Sequence, residues 1–463
     1  MGLLDGLKEK FEALLGRGSE AGPVGAAFAA EAADAAIVEQ VLDPAFLKAR
    51  LEDVKAGGTG KVPKEKYEEM FAELDRAQAS PAVGANPSQG GQAYLPRSPE
   101  VSMLQSTITD CITSRVEQLF EPMPPGHHSF GEFLLRETEV FRKFGPCDAG
   151  WAETVISQGI ADLEGKSGFL DGKAPDVGIA NDARLVVVGD WGTGLPAARA
   201  VGKEMTAKVA EAKKAGREVH VLHLGDVYYS GWKEEYKARF MPYWPVRSAD
   251  EGVGSWALNG NHDMYSGGKG YFGYLLKDPR FAGHRGSSYF CLQNSHWQLL
   301  GLDSAYIDSD LAGSQGEWVA GKQRGSARKT MLLSHHQPFS DFVEVHPRLL
   351  EKLQPAFDVR PVDAWLWGHE HLCCEYGPNP ESYLRFGSCI GHGGVPVLLD
   401  YEGSGSGERK HYPLTWRATN AETRDEHRWQ MFGYAVLDFD GPGIDVAYYD
   451  QQGGPAVNTA RIE

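Results

Sequence analysis

The sequence is poor in cysteine and has no long apolar run. Only six of its 463 residues are cysteine, and no two have Cys-x-x-Cys spacing, which excludes a disulfide framework and a thiolate zinc site. No apolar run approaches the roughly 18–20 residues that cross a bilayer. Residues 1–18 alternate apolar and charged side chains at helical spacing, which predicts an amphipathic helix rather than a signal peptide. We therefore expect a cytoplasmic protein without a membrane span.

Positive charge is also scarce. The chain has 46 Lys and Arg against 63 Asp and Glu, for a formal net charge of −17. A protein that binds nucleic acid in bulk neutralises phosphates with many basic side chains, so this partner class is not expected. The motifs GxSxG and HExxH are absent as well, which excludes the serine hydrolases and zinc proteases that carry them.

Residues 1–180 show a helical pattern. Segments rich in Gly, Pro, Ser and Asn interrupt it at 16–25, 57–61 and 81–99. A stripe at helical spacing predicts one helix over about 101–120: Val101, Leu104, Ile108, Cys111, Ile112, Val116, Leu119 and Phe120. This helical N-terminal region has no chemical motif, and we expect it to cap a site, form oligomers or dock a protein partner.

Residues 181–463 have the pattern of a catalytic α/β domain, because short β-branched runs alternate with turns and helical segments. Strands are predicted at 185–189, 219–224, 255–258, 288–292, 297–302, 329–334, 364–367, 383–386, 434–439 and 446–449. Helices are predicted at 196–215, 233–244 and 346–357. The pattern therefore predicts an α/β sandwich.

Five predicted strands end in polar residues suited to binding a metal. These ends read GDWG (189–192), GDVYY (225–229), GNHD (260–263), SHH (334–336) and GHEH (368–371). Open α/β sheets bind their ligands beyond the carboxyl ends of the strands. Carboxylate, imidazole and amide donors suit hard or borderline ions. The five ends together therefore predict a metal site.

The spacing within these ends supports the same prediction. Residues i and i+2 of an extended segment lie on the same side of it. His369 and His371 can therefore both point into one site, while Glu370 points away. Asp190 and Asp226 follow neighbouring predicted strands, and two adjacent carboxylates repel each other unless a cation lies between them.

These five segments resemble the blocks of the calcineurin-like metallophosphoesterases, most closely those of the purple acid phosphatase branch. That branch has DxG, GDxxY, GNH(D/E), VxxH and GHxH, and Leu332 stands here in place of the valine. The resemblance covers about residues 185–394. It implies a four-layer α/β/β/α metallophosphoesterase sandwich, preceded here by the helical N-terminal region.

The resemblance also implies a site with two metal ions that share Asp226. For a ferric ion it implies the ligands Asp190, Asp226, Tyr229 and His371. For a divalent Fe, Zn or Mn ion it implies Asp226, Asn261, His335 and His369. His262 corresponds to the histidine that contacts the substrate and donates a proton.

The function implied is hydrolysis of a small phosphate ester by in-line attack of a metal-bound hydroxide. A phosphomonoesterase is the leading prediction, and a phosphodiesterase on the same metal core is the alternative. A more remote alternative is a non-catalytic scaffold that acts through its N-terminal helices, although such a scaffold is expected to lack metal ligands.

Further residues stay as open hypotheses. His336 and His392 lie outside the family blocks, and each is a candidate for contacting phosphate. The neighbouring thiols of Cys373 and Cys374 are candidates for redox control, although buried packing is the more common role of free cysteine. Gly192, Gly194 and Ala197 match a dinucleotide-binding pattern, but Asp190 would oppose a pyrophosphate there.

Overall fold

The structure is a computed structural model that describes residues 48, 51–52, 64–78, 154, 157–158, 161, 165–342, 345, 347–378, 383–397, 399, 413–424 and 427–463. The chain divides into two units, Met1–Ile160 and Ala161–Glu463. In the first unit, α1 (Lys64–Gln78) is a helix. The helices predicted at 1–15 and 101–120 lie outside the described residues. The boundary at 180/181 stays a prediction.

The second unit contains two large β-sheets. The first sheet has the strand order β16-β15-β14-β2-β3-β4. Its strands are β2 (Arg184–Val188), β3 (Val219–His223), β4 (Val253–Ala257), β14 (Gly433–Asp440), β15 (Gly443–Asp450) and β16 (Asn458–Ile462). Strands β2, β3 and β4 are parallel, and β14 joins β2 in antiparallel pairing. The carboxyl ends of three neighbouring strands therefore lie at one edge.

The second sheet has the order β1-β5-β6-β7-β8-β10-β9-β11. Its strands are β1 (Asp176–Gly178), β5 (Phe290–Gln293), β6 (Trp297–Gly301), β7 (Lys329–Ser334), β8 (Ala364–Trp367), β9 (Cys373–Tyr376), β10 (Gly387–Ile390) and β11 (Leu414–Arg417). Strands β6, β7 and β8 are parallel. A separate hairpin pairs β12 (Ala421–Arg424) with β13 (His427–Gln430).

Helices cover the outer faces of the sheets. The helices are α2 (Pro196–Lys214), α3 (Lys233–Glu235), α4 (Asn261–Tyr265), α5 (Lys269–Gly273), α6 (Gln315–Arg324) and α7 (Arg348–Phe357). Short 3-10 helices lie at Ala249–Glu251, Leu275–Lys277 and Pro279–His284, and a π-helix spans Tyr236–Phe240. No helix within the described ranges has both the length and the apolar character needed to cross a membrane.

The core shows why these strands form a four-layer sandwich. Successive residues of a strand point to opposite faces. Thus Leu185 and Val187 join an inner core cluster with residues of the second sheet, while Val186 and Val188 pack in an outer cluster with α2. Another outer cluster joins the second sheet to α6 and α7. Strands buried on both faces need continuous apolar runs such as LVVV at 185–188, and the predicted α/β sandwich is confirmed.

Two predicted elements differ from the structure. The strand predicted at 383–386 is wrong: Leu384 makes only an isolated bridge with Val362, and the strand forms at β10 instead. Gly387 opens β10, and a Cβ there would lie 3.1 Å from the Trp367 ring, so a larger residue would require that ring to shift. The helix predicted at 233–244 is α3 followed by the π-helix.

Candidate metal centre

The five polar segments converge where the two sheets end side by side. Backbone and side-chain hydrogen bonds join the two sheets there: the His369 amide donates to Asp190 Oδ2 at 2.8 Å, and His335 Nδ1 lies 3.0 Å from the Leu224 carbonyl oxygen. Asp190 follows the first sheet's β2, whereas His335 and His369 follow β7 and β8 of the second. The site is therefore assembled from both layers.

The first ligand group consists of Asp190, Asp226 and His371, whose donor atoms all lie within 4.8 Å of one another. His371 Nε2 is 3.4 Å from Asp190 Oδ1. Both carboxylates are fully buried. Two buried carboxylates with an adjacent imidazole form a donor set that fits a hard or borderline cation.

The second ligand group centres on the amide oxygen of Asn261. That Oδ1 lies 3.0 Å from His335 Nε2 and 3.1 Å from His369 Nδ1, and the two imidazole nitrogens are 3.2 Å apart. His335 Nδ1 faces a carbonyl oxygen, which can only accept a hydrogen bond, so Nδ1 carries the proton and Nε2 presents its lone pair. The three donor atoms face one another as ligands of one ion would.

Asp226 lies between the two groups. Its Oδ2 belongs to the first group and is 3.5 Å from His335 Nε2 in the second. Its Oδ1 accepts a hydrogen bond from the His262 amide at 2.9 Å. Asp226 is thus the carboxylate in position to bridge two ions.

Burial sets the protonation states of these ligands. It lowers the pKa values of His335 and His369 well below the ordinary range, so both rings are neutral and able to bind a metal. Burial raises the pKa of Asp190 to about 6, with the hydrogen bond from His371 working against it. A cation beside Asp190 would favour its ionised form.

Four predicted ligands have left-handed backbone conformations. The φ angles are 55° at Asp190, 77° at Asp226, 69° at His369 and 52° at His371. Such values cost residues with a Cβ roughly 1–3 kcal/mol each and cluster at functional sites. The chain therefore does not continue as regular strand beyond β8, although both His369 and His371 still reach the site.

Asp263 organises the loops without being a predicted ligand. Its carboxylate accepts hydrogen bonds from the amides of Asp226 (2.9 Å), Val227 (3.2 Å) and Gly260 (2.7 Å), and from the Tyr236 hydroxyl (2.5 Å). Burial, with the nearby charge of Asp226, raises its pKa to about 7. The GNHD motif includes Asp263, but the motif alone indicates no role for it.

The tyrosine at the first group is Tyr228, not the predicted Tyr229. Its hydroxyl lies 3.0 Å from Asp190 Oδ1, 3.1 Å from Asp226 Oδ2 and 3.0 Å from His371 Nε2. Asp226 has a left-handed φ of 77° and residues 228–230 form a turn, so the chain does not continue as regular strand there. In this conformation the Tyr228 hydroxyl reaches Asp226, whereas the Tyr229 ring packs 5.1 Å from the Arg239 guanidinium.

His262 lies beside the first group at a part-exposed position. Its Nδ1 is 2.6 Å from the Tyr229 carbonyl oxygen, and its Nε2 is 4.0 Å from Asp226 Oδ2. The ring packs between Tyr228 and Tyr265, with centroid distances of 4.5 and 4.8 Å. Nδ1 is thereby tied to the backbone, and Nε2 remains the atom that can exchange a proton. Burial lowers the pKa of the ring.

His336 and His392 occupy different surroundings. His336 lies against the second group, with ring centroids 5.0 Å from His335 and 4.7 Å from His369. His392 is buried against Gly433, where an added Cβ would lie 2.5 Å from its Nε2, and burial lowers its pKa to about 3. Among the described contacts, none joins the His392 side chain to either ligand group, so its role in binding phosphate stays a prediction.

The loop after β6 brings further polar groups to the second group. Ser304 Oγ lies 3.1 Å from His336 Nδ1, and Asp308 Oδ1 lies 3.0 Å from His336 Nε2. The loop is anchored by Gln315, whose side chain accepts from the Asp303 amide at 2.9 Å and donates to the Asp303 carbonyl at 3.0 Å. Ser304 and Asp308 carried no sequence signal, because no motif includes them.

Replacing Gln315 by leucine is expected to lower the free energy of unfolding by about 1–3 kcal/mol, because it leaves both backbone groups of buried Asp303 without partners. Denaturant unfolding measures this difference. Gln354→Leu is the matched control, since the Gln354 side chain bonds only Asp358 in an exposed setting, and should change stability by less than about 0.5 kcal/mol. Equal effects in the two variants would contradict the anchoring role.

Comparison with known proteins supports the family resemblance for part of the chain. Residues 183–373 match the model of a family described as calcineurin-like phosphoesterase, so this segment is a calcineurin-like phosphoesterase domain. The match confirms the resemblance at that level, while the purple acid phosphatase branch stays a prediction. Among curated proteins, none matches the chain.

Solved structures give weaker likenesses. A structure titled GAP50, the anchor in the inner membrane complex of Plasmodium, is 12% identical, with a TM-score of 0.45, over 61% of this chain and 89% of its own. A structure of PhoD is 10% identical, with a TM-score of 0.40, over 61% and 69%. Vps29 from Entamoeba histolytica is 14% identical, with a TM-score of 0.26, over 60% and 98%. At these values the likenesses do not bear on activity.

Proposed function

We propose that this calcineurin-like phosphoesterase domain hydrolyses phosphate esters at a two-metal site. The observation that carries the proposal is the position of Asp226, which contacts a carboxylate–imidazole group on one side and an imidazole–amide group on the other. A single structural cation would need only one such group. Two groups that share a carboxylate are the arrangement that two-metal hydrolases use.

The donor types suggest which ions would bind. In the first group, two carboxylates and the Tyr228 oxygen are hard donors, which favours a trivalent iron. In the second, two imidazoles and an amide suit a divalent iron, zinc or manganese ion. Bound at these positions, the ions would supply positive charge for the phosphoryl oxygens and lower the pKa of a bound water.

His262, in its imidazolium form, is the residue we propose as proton donor to the leaving oxygen; burial disfavours this form, whereas the charge of Asp226 and the Tyr229 carbonyl favour it. The Tyr229 carbonyl and the two flanking tyrosine rings fix the ring plane. A ring held this way directs Nε2 toward Asp226 and does not have to reorient during the reaction. Tyr265 donates no proton in this scheme, and its pKa is raised to about 12, chiefly by burial.

Monoester hydrolysis is the proposal that the purple acid phosphatase resemblance favours. Diester hydrolysis is the second candidate, and one observation favours it: the Asp308 carboxylate stands beside the second ligand group, where it would oppose a substrate with two negative charges. A protein or oligomer partner for the N-terminal region and a cytoplasmic location remain proposals from the sequence.

The direct test supplies iron with zinc or manganese, counts the bound ions, and measures hydrolysis of p-nitrophenyl phosphate and bis-p-nitrophenyl phosphate. We expect two ions per chain and turnover that a chelator abolishes. Fewer than two ions with no turnover on either ester would contradict the proposal and favour the scaffold alternative.

Tyr228→Phe is expected to remove any visible absorption band that arises from a phenolate–iron(III) pair, because it deletes the oxygen beside Asp190 and Asp226. We expect turnover to fall about tenfold, the lower end of losses when a group tuning a metal site is removed. Tyr229→Phe is the matched control and should keep the band. Loss of the band only in Tyr229→Phe would restore the sequence-based assignment.

A further inference from the structure

The pair formed by His336 and Asp308 lies outside the family blocks. His336 is 2% exposed, whereas the Asp308 side chain is 77% exposed. A buried imidazole therefore holds an exposed carboxylate at the rim of the second ligand group. The contact joins the loop after β6 to the end of β7.

The contacts of His336 show how this pair is held. Asp308 Oδ1 lies 3.0 Å from His336 Nε2 as an ion-pair contact, without the geometry of a hydrogen bond. Ser304 Oγ accepts from the His336 amide at 3.1 Å, and it lies 3.1 Å from His336 Nδ1. Both ring nitrogens are thus directed at protein groups. His336 thus supports Asp308 at the edge of the site, and one of its ring nitrogens lies within 4.8 Å of a ring nitrogen of both His335 and His369.

The loop itself fixes the position of Asp308. Asp310 N donates to the Ile307 carbonyl at 3.0 Å, and the two residues form a bridge, so Asp308 lies in the tip of a closed turn. Ser309 completes the turn with φ 54°. An exposed carboxylate held by its turn and by a buried ring presents a charge at a fixed place.

The charge of Asp308 interacts electrostatically with groups inside the site. The contact with His336 lowers the pKa of Asp308, and the negative charge of Asp226 works against it. Asp308 also acts on the Tyr265 hydroxyl, which bonds the ligand Asn261 at 2.9 Å. Asp308 is therefore ionised at neutral pH, and it lies one side chain away from the ligand group because the His336 ring that it contacts packs 4.7 Å from the His369 ring.

We propose that Asp308 is a specificity-determining residue that disfavours doubly charged phosphate monoesters relative to singly charged diesters. The inference rests on the proposed function, and it names the substrate class of the same site. A monoester is a dianion above about pH 7, because its second pKa is about 6. A diester has one negative charge in the same position, so the repulsion from a fixed carboxylate is about half as large.

The proposal is tested with Asp308→Asn and Asp308→Lys in the metal-loaded full chain. The measured quantity is the ratio of kcat/KM for bis-p-nitrophenyl phosphate to that for p-nitrophenyl phosphate, at low salt and about pH 8. We expect Asp308→Asn to lower this ratio about fivefold and Asp308→Lys to lower it further, with both shifts shrinking at high salt. Asp310→Asn, which removes a charge two residues along the turn, should leave the ratio within about twofold.

Binding of inorganic phosphate to the same metal-loaded proteins separates this proposal from the proposed function. We expect Asp308→Asn to bind phosphate about fivefold more tightly than the unaltered chain. If the unaltered chain binds phosphate but hydrolyses neither ester, the proposed function fails, and the phosphate affinities alone decide the role of Asp308. An unchanged ratio and affinity in both Asp308 variants, an equal shift in Asp310→Asn, or no phosphate binding by the unaltered chain would overturn the inference.

Discussion

Asp226→Asn is expected to reduce phosphoester turnover by about 10²- to 10³-fold or more, which is the range for loss of one preorganised charged or polar group at a reacting centre. Asn is nearly isosteric and still presents an oxygen to the His262 amide. The substitution removes the negative charge that the two ligand groups share. Measuring turnover and metal content on the same protein samples tests this prediction.

Thermal unfolding distinguishes this loss from a loss of folding. Without metal, Asp190 and Asp226 are two buried carboxylates in one group, so removing one charge relieves repulsion. The metal-free variant is therefore expected to unfold at the same temperature as the unaltered chain or higher, while the stabilisation on adding metal shrinks. Asp182→Asn, at an exposed position before β2, should change neither quantity. A metal-free variant that is clearly less stable would contradict this account.

Gly260→Ala is the second large expected effect, about 10²-fold in turnover, although it removes no ligand. An added Cβ would lie 2.1 Å from Asp226 Oδ1 and 2.7 Å from His335 Cε1, so both ligands must move. Displacement of reacting groups by about 1 Å costs on the order of 10²-fold. The φ of Gly260 is −107°, which alanine adopts freely, so the effect is steric and not conformational.

The matched control is Gly321→Ala in α6, where an added Cβ meets nothing within 4 Å. It should keep full turnover and raise the free energy of unfolding by up to about 1 kcal/mol, because alanine is the better helix former. If Gly260→Ala retains normal metal content and turnover, the close packing of Asp226 against the GNHD turn is not required for metal binding or catalysis.

The proposed metal ligands could be selected from the sequence because each follows a buried strand within a short motif of fixed spacing. Asp190, Asn261 and His335 each lie in the group that the motifs imply. Tyr228 was not predictable from the motif, since the spacing assigned the next residue. Its place depends on the left-handed backbone at Asp226 and on the turn at residues 228–230, which the motif spacing does not encode.

The small strands of the second sheet were the least predictable elements of the fold. The segment at β10 begins with Gly and contains Ser and Cys, which are weak strand formers, and it forms a strand because β8 and β9 flank it on both sides. The role of Asp308 likewise could not be predicted from the sequence. Its importance depends on a contact with His336, which is 28 positions further along the chain, and no local pattern encodes such a contact.

Because the ligands come from both sheets, the site lies on a seam between two independently hydrogen-bonded layers. Sliding one layer along the other by an ångström would separate Asp226 from His335 and Asp190 from the His369 amide at the same time. Ions bound across this seam would resist such shear, and ligand binding to the folded state alone adds its binding free energy to stability. Chelation should therefore speed amide hydrogen exchange deep in both sheets, and not only in the loops that carry the ligands.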